Sequence, residues 1–280
     1  MESKRSLRSI TISILGCGWL GLPLAKRLIQ SGYTVKGSTK TSEKLSLLRQ
    51  EGIVAYFIEC QSHSVGPKTF DFFNSQVLIL TVPFRQDLND PEIYRFQIES
   101  IIKEVEGSPI DFVIFTSSTS VYPRTLSFVQ ENTSFNPDNP RSKVLLEVEN
   151  DLMTNSHFST TVVRLGGLYG PNRPIGQFWA DKTDFQGASQ PVNLIHLDDC
   201  ISIILQIIQQ DIRGEIFNAV SDHHPTRQEL YKRIAQKRGL KLPTFGEEAT
   251  SYPRIISNLK VKEKLKIKFI HPDPLLSVNG

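Results

Sequence analysis

From residue 11 to about residue 170, short β-branched runs alternate with stretches of helical period. The apolar runs are ITISILG, TVKGST, IVAYFIE, QVLILTV, DFVIFTSS and TTVVRLGG. Helical patterns fall between them: one ending about residue 31, one near 42–50, a poor one near 67–74, a long one over 91–106 and one over 140–155. This alternation predicts βαβ units and a parallel sheet covered on both faces. Ile98, Ile101, Ile102 and Val105 recur at i, i+3, i+4, i+7 and should face that sheet. After Gly170 the rhythm breaks into a loop rich in Gly, Gln, Asp and Pro, up to about residue 190. A second region then follows, with VNLIHL, the helix CISIILQIIQQ, the strand EIFNAV, a helix from Arg227 to Lys237 and a basic helix near 258–266.

Composition narrows the partners. The 280 residues, 39% of them hydrophobic, suffice for one substantial core, and the break near residue 170 points to a main domain with an appendage. With 32 basic and 29 acidic residues the net charge is +3, which gives little drive toward nucleic acid or an anionic membrane. Three widely spaced cysteines, Cys17, Cys60 and Cys200, fit neither a disulfide framework nor a zinc site, and a reducing cytoplasm is the natural compartment. The leader MESKRSLRS is basic, but the apolar stretch behind it is broken by Gly16 and Gly18 and does not read as a secretory core. No apolar run approaches a membrane span. His223 and His224 are adjacent and make a poor metal pair, so no metal is expected.

The first strand-to-helix turn carries candidate chemistry. Gly16, Gly18 and Gly21 stand in G-x-G-x-x-G spacing between a predicted strand and a predicted helix. Such glycines serve a tight turn, close backbone approach to a pyrophosphate and tight packing of helix on strand, and the helix start offers N–H groups to phosphate. The expected fold is α/β: a Rossmann-type doubly wound parallel sheet over residues 10–170, with a small C-terminal α+β substrate-binding part over 171–280 that returns some strands and helices to the core. About 20 residues on, where an acidic residue would bond the ribose of NAD, this chain has Ser38, Thr39 and Lys40, followed by Lys44. Two hydroxyls and an ammonium suit a 2′-phosphate, which favours NADP over NAD. The competing reading is that residues 39–42 cap the next helix and Lys40 is solvated.

FVIFTSSTSVYP then ends a buried strand in Thr116, Ser117, Ser118, Thr119 and Ser120, followed by Tyr122 and Pro123. Ligands of open α/β sheets bind beyond the carboxyl ends of the strands. In order along the chain, the glycine turn, SSTSVYP, RSKVLLEVE, VVRLGGLYGP and VNLIHLDD resemble the extended short-chain dehydrogenase/reductase superfamily, also called the NAD-dependent epimerase/dehydratase family. The resemblance covers roughly residues 10 to 270. The G-x-G-x-x-G spacing, GEIFNAVSDHHPTRQELY and SNLKVKEKL resemble its atypical YeeZ-like branch more closely.

In that superfamily a strand-end Ser or Thr polarises the substrate oxygen and a Tyr-x-x-x-Lys pair supplies the proton. The resemblance places Ser118 in the first role and Lys143 in the lysine role, but the tyrosine position falls on Asn139. A phenol beside a lysine and an oxidised nicotinamide can exchange a proton, whereas an amide cannot. Lys143 retains a second role, bonding the nicotinamide ribose. Tyr122 is the first candidate to replace the phenol, with Tyr169 behind it; the bland use of both is packing. By the same resemblance the nucleotide touches Trp19 and Leu20 in the glycine turn, Thr81, Val82 and Pro83 after the QVLIL strand, Thr116 and Ser117, and Leu165, Gly166 and Leu168. The pair Gly166–Gly167 should allow close backbone approach, and residues 169–190 should cover the substrate. Ser118, Thr119, Arg173, Asn193 and Arg254 are its expected contacts. His196 and Asp199 read as an anchor, the Asp capping the next helix and the imidazole tying the strand to a loop.

The resemblance implies an NAD(P)-binding oxidoreductase or epimerase-like enzyme acting on a small polar carbonyl or hydroxyl compound, sugar derivatives included, in a homodimer by family habit. Asn139 keeps open an alternative of another class, a non-catalytic NADP-binding sensor.

Overall fold

The computed structural model describes residues 10–61, 64–65, 70–84, 90–175, 184–246 and 253–277. The basic leader, the first half of the 67–74 helix and the middle of the 169–190 loop lie outside the described residues. In chain order the elements are β1 (Thr11–Leu15), α1 (Gly21–Gln30), β2 (Thr34–Thr39), α2 (Lys44–Gln50), β3 (Val54–Phe57), β4 (Cys60–Gln61), β5 (Ser64–Val65), α3 (Phe70–Phe73), β6 (Val77–Leu80), α4 (Glu92–Glu106) and β7 (Phe112–Ser118). They continue with β8 (Phe128–Val129), α5 (Pro140–Met153), β9 (Ser159–Leu165), β10 (Gly167–Tyr169), β11 (Leu194–His196), α6 (Leu197–Gln209), β12 (Ile216–Ala219), α7 (Arg227–Arg238), β13 (Ile255–Ile256) and α8 (Leu259–Leu265).

Seven strands form one sheet in the order β12-β9-β7-β6-β1-β2-β3. Its pairings β1–β2, β1–β6, β2–β3 and β6–β7 are parallel. This is the doubly wound α/β arrangement, with strand order reversing between β1 and β6. The apolar pattern explains the order. β1, β6 and β7 are apolar nearly throughout and buried, as strands covered on both faces must be. β3 lies at the edge and exposes Val54 and Phe57. Ile98, Ile101, Ile102 and Val105 of α4 are all buried, together with Tyr94, so the helical stripe packs inward as its period requires.

The chain falls into two compact units, each discontinuous in sequence. One comprises Met1–Ser117, Pro140–Val162 and Asp211–Glu215; the other comprises Ser118–Asn139, Val163–Gln210 and Ile216–Gly280. The first holds β1 to β3, β6, β7, the start of β9 and helices α1 to α5. Within it the one charged residue of β2, Lys36, is buried, and its ammonium donates to the carbonyls of Asp71 and of Asn74, the latter at 3.0 Å. Those bonds let a lysine occupy an interior strand position that would otherwise cost several kcal/mol.

The second unit holds the end of β9, β12, the small pairs β10–β11 and β8–β13, and helices α6 to α8. Its satellite core gathers Tyr169, Ile175, Leu230, Tyr231 and Ile234. Helix α7 starts from a reciprocal cap, Thr226 Oγ1 accepting from Glu229 N–H while the Glu229 carboxylate accepts from Thr226 N–H, and it ends at Gly239, whose φ is +62°.

Candidate functional site

The turn after β1 is built from hydroxyls behind and glycines in front. Gly16 has φ +112°, a conformation glycine adopts freely, and its N–H donates to Ser38 Oγ at 2.9 Å. Cys17 N–H donates to the Ser38 carbonyl at 2.7 Å, so β2 holds the turn twice. From the other side Thr81, just past β6, donates its hydroxyl to the Gly16 carbonyl at 2.7 Å. A Cβ on Gly21 would lie 2.2 Å from that carbonyl, so only glycine lets α1 start so close to the turn. A Cβ on Gly18 would meet nothing within 4 Å, and its φ is not in the left-handed region. Gly18 is therefore not required by the fold. What it provides is a bare, exposed stretch of backbone at the start of a helix whose first turn carries no acidic residue.

A pyrophosphate fits such a cradle. Leu22 and Leu24 already donate to the Gly18 and Leu20 carbonyls and Pro23 has no N–H, so the amides of Leu20 and Gly21, at the positive end of the α1 dipole, are the ones offered to a phosphate. Trp19 is half-buried and Leu20 buried within the turn. Two expected ligands take supporting places instead: Ser38 and Thr81 use their hydroxyls to brace the turn. At the end of β2, Thr39 Oγ1 accepts from Thr41 N–H at 3.1 Å, and Lys40 is exposed. Burial pushes the Cys17 thiol up to about 12, so it stays protonated and inert behind the glycines.

The first unit also holds β7 up to Ser117 and helix α5. Thr116 donates to the Leu80 carbonyl at 2.9 Å, and Ser117 donates to the buried carboxylate of Glu149 on α5. Val82 is half-buried and accepts from the Tyr94 hydroxyl at 3.2 Å, while Pro83 is exposed. Phe84 lies between the stacked ring of Tyr94, 4.4 Å away, and the guanidinium of Arg141, 4.2 Å from its centroid. Lys143 projects from α5 with 68% of its side chain exposed, 3.9 Å from Glu147 one turn on.

In the second unit the serine cluster leads into a short 3₁₀ turn, Thr119–Val121. Ser118 starts it, its half-exposed hydroxyl accepting from Ser120 N–H at 3.1 Å. Thr119 is buried. Asn139 is exposed, and its amide donates to Asp138 at 2.7 Å.

Tyr122 is enclosed by the fold. It is 1% exposed, its hydroxyl donating to Asn218 Oδ1 at 2.8 Å and accepting from Arg164 Nη1 at 2.7 Å. Burial raises its pKa, opposed by the neighbouring guanidinium. A phenol enclosed and bonded on both sides offers no free face to a substrate in this arrangement. Tyr169 is equally buried, with its hydroxyl 3.5 Å from Ser277 Oγ.

Other expected substrate contacts in this unit are occupied by the fold. Asn193 donates to the Arg254 carbonyl and accepts from Ile256 N–H, both at 2.9 Å, which stitches it to β13. Arg254 donates to the Tyr122 carbonyl. Arg173 is exposed in a tight turn closed by paired backbone bonds with Gly170. Leu165 and Gly166 are buried and Leu168 half-buried. The close approach that Gly166 permits is to the Asn193 carbonyl, 2.7 Å from where its Cβ would be. The expected anchor also works with its parts exchanged. His196 caps α6 by accepting from Asp198 N–H, and Asp199 ties the later segment by accepting from Ile270 and His271 N–H.

Sequence reasoning did not single out Asn218, Glu131 or Glu149. Asn218 N–H donates to Glu131 at 2.8 Å, extending the Arg164–Tyr122–Asn218 chain by one carboxylate. The available signal was a polar residue inside an apolar run: Arg164 in TTVVRLGG and Asn218 in EIFNAV. Such residues survive burial only when bonded.

No family model matches the chain. It is 33% identical over 268 residues to Protein YeeZ of Escherichia coli strain K12, a match covering 95% of this chain and 97% of that one. Among solved structures it is similar to UDP-glucuronic acid 4-epimerase from Bacillus cereus in complex with UDP-glucuronic acid and NAD, at TM-score 0.79 and 18% identity over 96% of each chain. It is also similar to a putative NAD-dependent epimerase/dehydratase from Methylobacillus flagellatus, at TM-score 0.72 and 22% identity, covering 96% of this chain and 95% of that one. At these identities the structural likenesses establish the fold.

Proposed function

Since this chain belongs to the YeeZ family and has the short-chain dehydrogenase/reductase fold, we propose that it binds NADP at the turn after β1 and acts as an oxidoreductase or epimerase-like enzyme on a small polar compound. The observation that carries the nucleotide reading is Gly18, bare and open where nothing in the fold demands a glycine. Gly16, Gly18, Trp19, Leu20 and Gly21 form the pyrophosphate cradle, Gly16 and Gly18 by bare backbone that lets it approach and Leu20 and Gly21 by their N–H groups, with Ser38 and Thr81 bracing that backbone. Thr39 and Lys40 take the adenosine end, where an exposed ammonium and the absence of a carboxylate favour a 2′-phosphate. When bound, the nicotinamide supplies a hydride acceptor or donor.

For the substrate end, Ser118 offers a half-exposed hydroxyl able to donate to a carbonyl or sugar hydroxyl. Lys143 bonds the nicotinamide ribose. The solved relatives named above support a sugar derivative as substrate, since one carries a UDP-sugar acid. Isothermal titration with NADPH and NADH tests the first step, and loss of NADPH absorbance across aldehydes, ketones and keto sugars tests the second.

A second reading is favoured by Asn139 at the usual tyrosine position together with the enclosure of Tyr122 and Tyr169: a protein that binds NADP and senses it without turnover. Tight NADPH binding with no consumption across that panel selects it. Consumption that Ser118→Ala depresses selects the enzyme.

A further inference from the structure

A polar cluster at the start of α6 is used by neither reading. His196 caps the helix through Nδ1, which accepts from Asp198 N–H at 3.1 Å, so the ring's own proton sits on Nε2. His271 stacks on it, with ring centroids 3.6 Å apart and planes inclined by 35°. Its Nε2 lies 3.1 Å from Asp198 Oδ2 and its Nδ1 lies 3.2 Å from Ser277 Oγ. Beneath them Asp199 is fully buried and accepts from Ile270 N–H at 2.6 Å and His271 N–H at 3.1 Å. The Tyr169 ring meets His196 edge-on at 5.0 Å, and a Cβ on Gly170 would lie 3.2 Å from His196 Nε2. Residues 267–277 are thus pinned against both the start of α6 and the Tyr169–Gly170 turn.

The donor atoms of His196, Asp198 and His271 lie within 4.8 Å of one another, yet their directions do not suit a metal. Imidazole ligates in its ring plane, and two rings on one zinc, at about 2.1 Å per bond, would hold their centroids roughly 5 Å apart. Here they face each other more closely, and His196 Nδ1 already serves the helix.

We propose that the stacked His196–His271 pair with Asp198 is a proton-sensitive clasp, which holds residues 267–277 against the Tyr169–Gly170 turn while the rings share no more than one proton and releases them when both are charged. One imidazolium is matched by the Asp198 carboxylate. Two would face each other across the stack, and a proton on His196 Nδ1 would turn the acceptor that caps α6 into a donor pointing at Asp198 N–H. The other titratable groups facing the cluster are Asp199, Asp273 and the Tyr169 phenol. Burial first, then His271, holds His196 below the ordinary histidine range, against Asp198; burial holds Asp199 above the carboxylate range, against its two N–H donors.

The test is backbone hydrogen exchange of the full chain at pH 7.5 and 5.5, corrected for the intrinsic pH dependence of exchange. Protection of the Ile270 and His271 amides should fall about tenfold on acidification, the equivalent of one unit of differential proton affinity. Amides of β1 and β6 serve as the internal reference. His271→Phe keeps a ring on His196 but cannot be charged, and should lose most of that fall. Asp198→Asn removes the charge that accommodates the first proton, and should shift the fall to higher pH. Equal protection at both pH values in the native chain, or an unchanged fall in both variants, overturns the proposal. So does tightening of residues 267–277 by micromolar zinc at pH 7.5, which would make the cluster a metal site.

Discussion

The turn after β1 and the turn after β7 both end apolar strands, and both carry small polar residues, yet the groups there do different work. Around Gly16–Gly21 the side chains that bond, Ser38 and Thr81, brace the backbone from behind and leave Gly18 bare in front. Around Ser118–Tyr122 the larger polar groups bond one another: Tyr122 with Arg164 and Asn218, Asn218 with Glu131, and Arg254 with the Tyr122 carbonyl. A cradle made of main chain stays ready for a ligand because the bonds of Gly16, Cys17 and Gly18 hold the backbone in shape while no side chain on Gly18 covers it. A buried cluster of side chains has to satisfy itself, or each orphaned group costs stability. The cluster after β7 meets that demand for the Tyr122 hydroxyl and the Asn218 carbonyl oxygen, while the buried Asn218 Nδ2 is left without a partner among the described residues.

The comparison can be broken most directly at the first turn. Gly18→Val should leave the urea midpoint nearly unchanged, because its Cβ meets nothing, while weakening NADPH binding by about a hundredfold or more, roughly 2.7 kcal/mol in titration calorimetry. Gly21→Ala makes the contrast: it drives a methyl into the Gly16 carbonyl and should lower the midpoint as well. If Gly18→Val binds NADPH normally, the cradle is not where the nucleotide lies.

Next in size is Tyr122→Phe. Losing the hydroxyl leaves Arg164 and Asn218 each short of a partner in a buried place, at a cost of about 2 kcal/mol in urea unfolding. NADPH affinity should not change. A variant of native stability with lost turnover would instead return Tyr122 to the role of proton donor.

Smaller again is Lys40→Ala, which should weaken NADPH by about tenfold and leave NADH alone, the share of one charge-assisted bond to a 2′-phosphate. Equal losses for both nucleotides would mean that Lys40 does not discriminate between them.

The smallest effect is on pH. His196 and His224 are both held below the ordinary histidine range, chiefly by burial. The unfolded chain takes protons near pH 6.5 that the folded chain refuses, so stability should fall as the pH drops below about 6.5 and level off below the folded-state values. Asp199 and Glu131, raised chiefly by burial, act with the opposite sign at lower pH. Urea midpoints at pH 7.5 and 5.5 should show the fall, and His224→Asn should reduce it.

Much of the first turn was legible because its signals are local. Glycine spacing, a β-branched run before it and a helical period after it lie within 20 residues, and the turn falls between β1 and α1 as they predict. The second turn was legible only in part. Ser118 could be placed from the strand-end run, but that Tyr122 faces Asn218, 96 positions later, has no local trace. Lys143 reads as a working lysine in sequence and stands exposed beside Glu147.

Periodicity and glycine alone determined the alternating α/β order, the inward stripe of α4 and the backbone opening at Gly18, since each depends on how neighbouring residues along the chain project. Tertiary structure decided which hydroxyls and guanidinium groups were left for a ligand. Burial obliges each polar side chain to find a partner, and for Tyr122, Asn193 and Asp199 that partner comes from a distant strand or segment brought near only by folding.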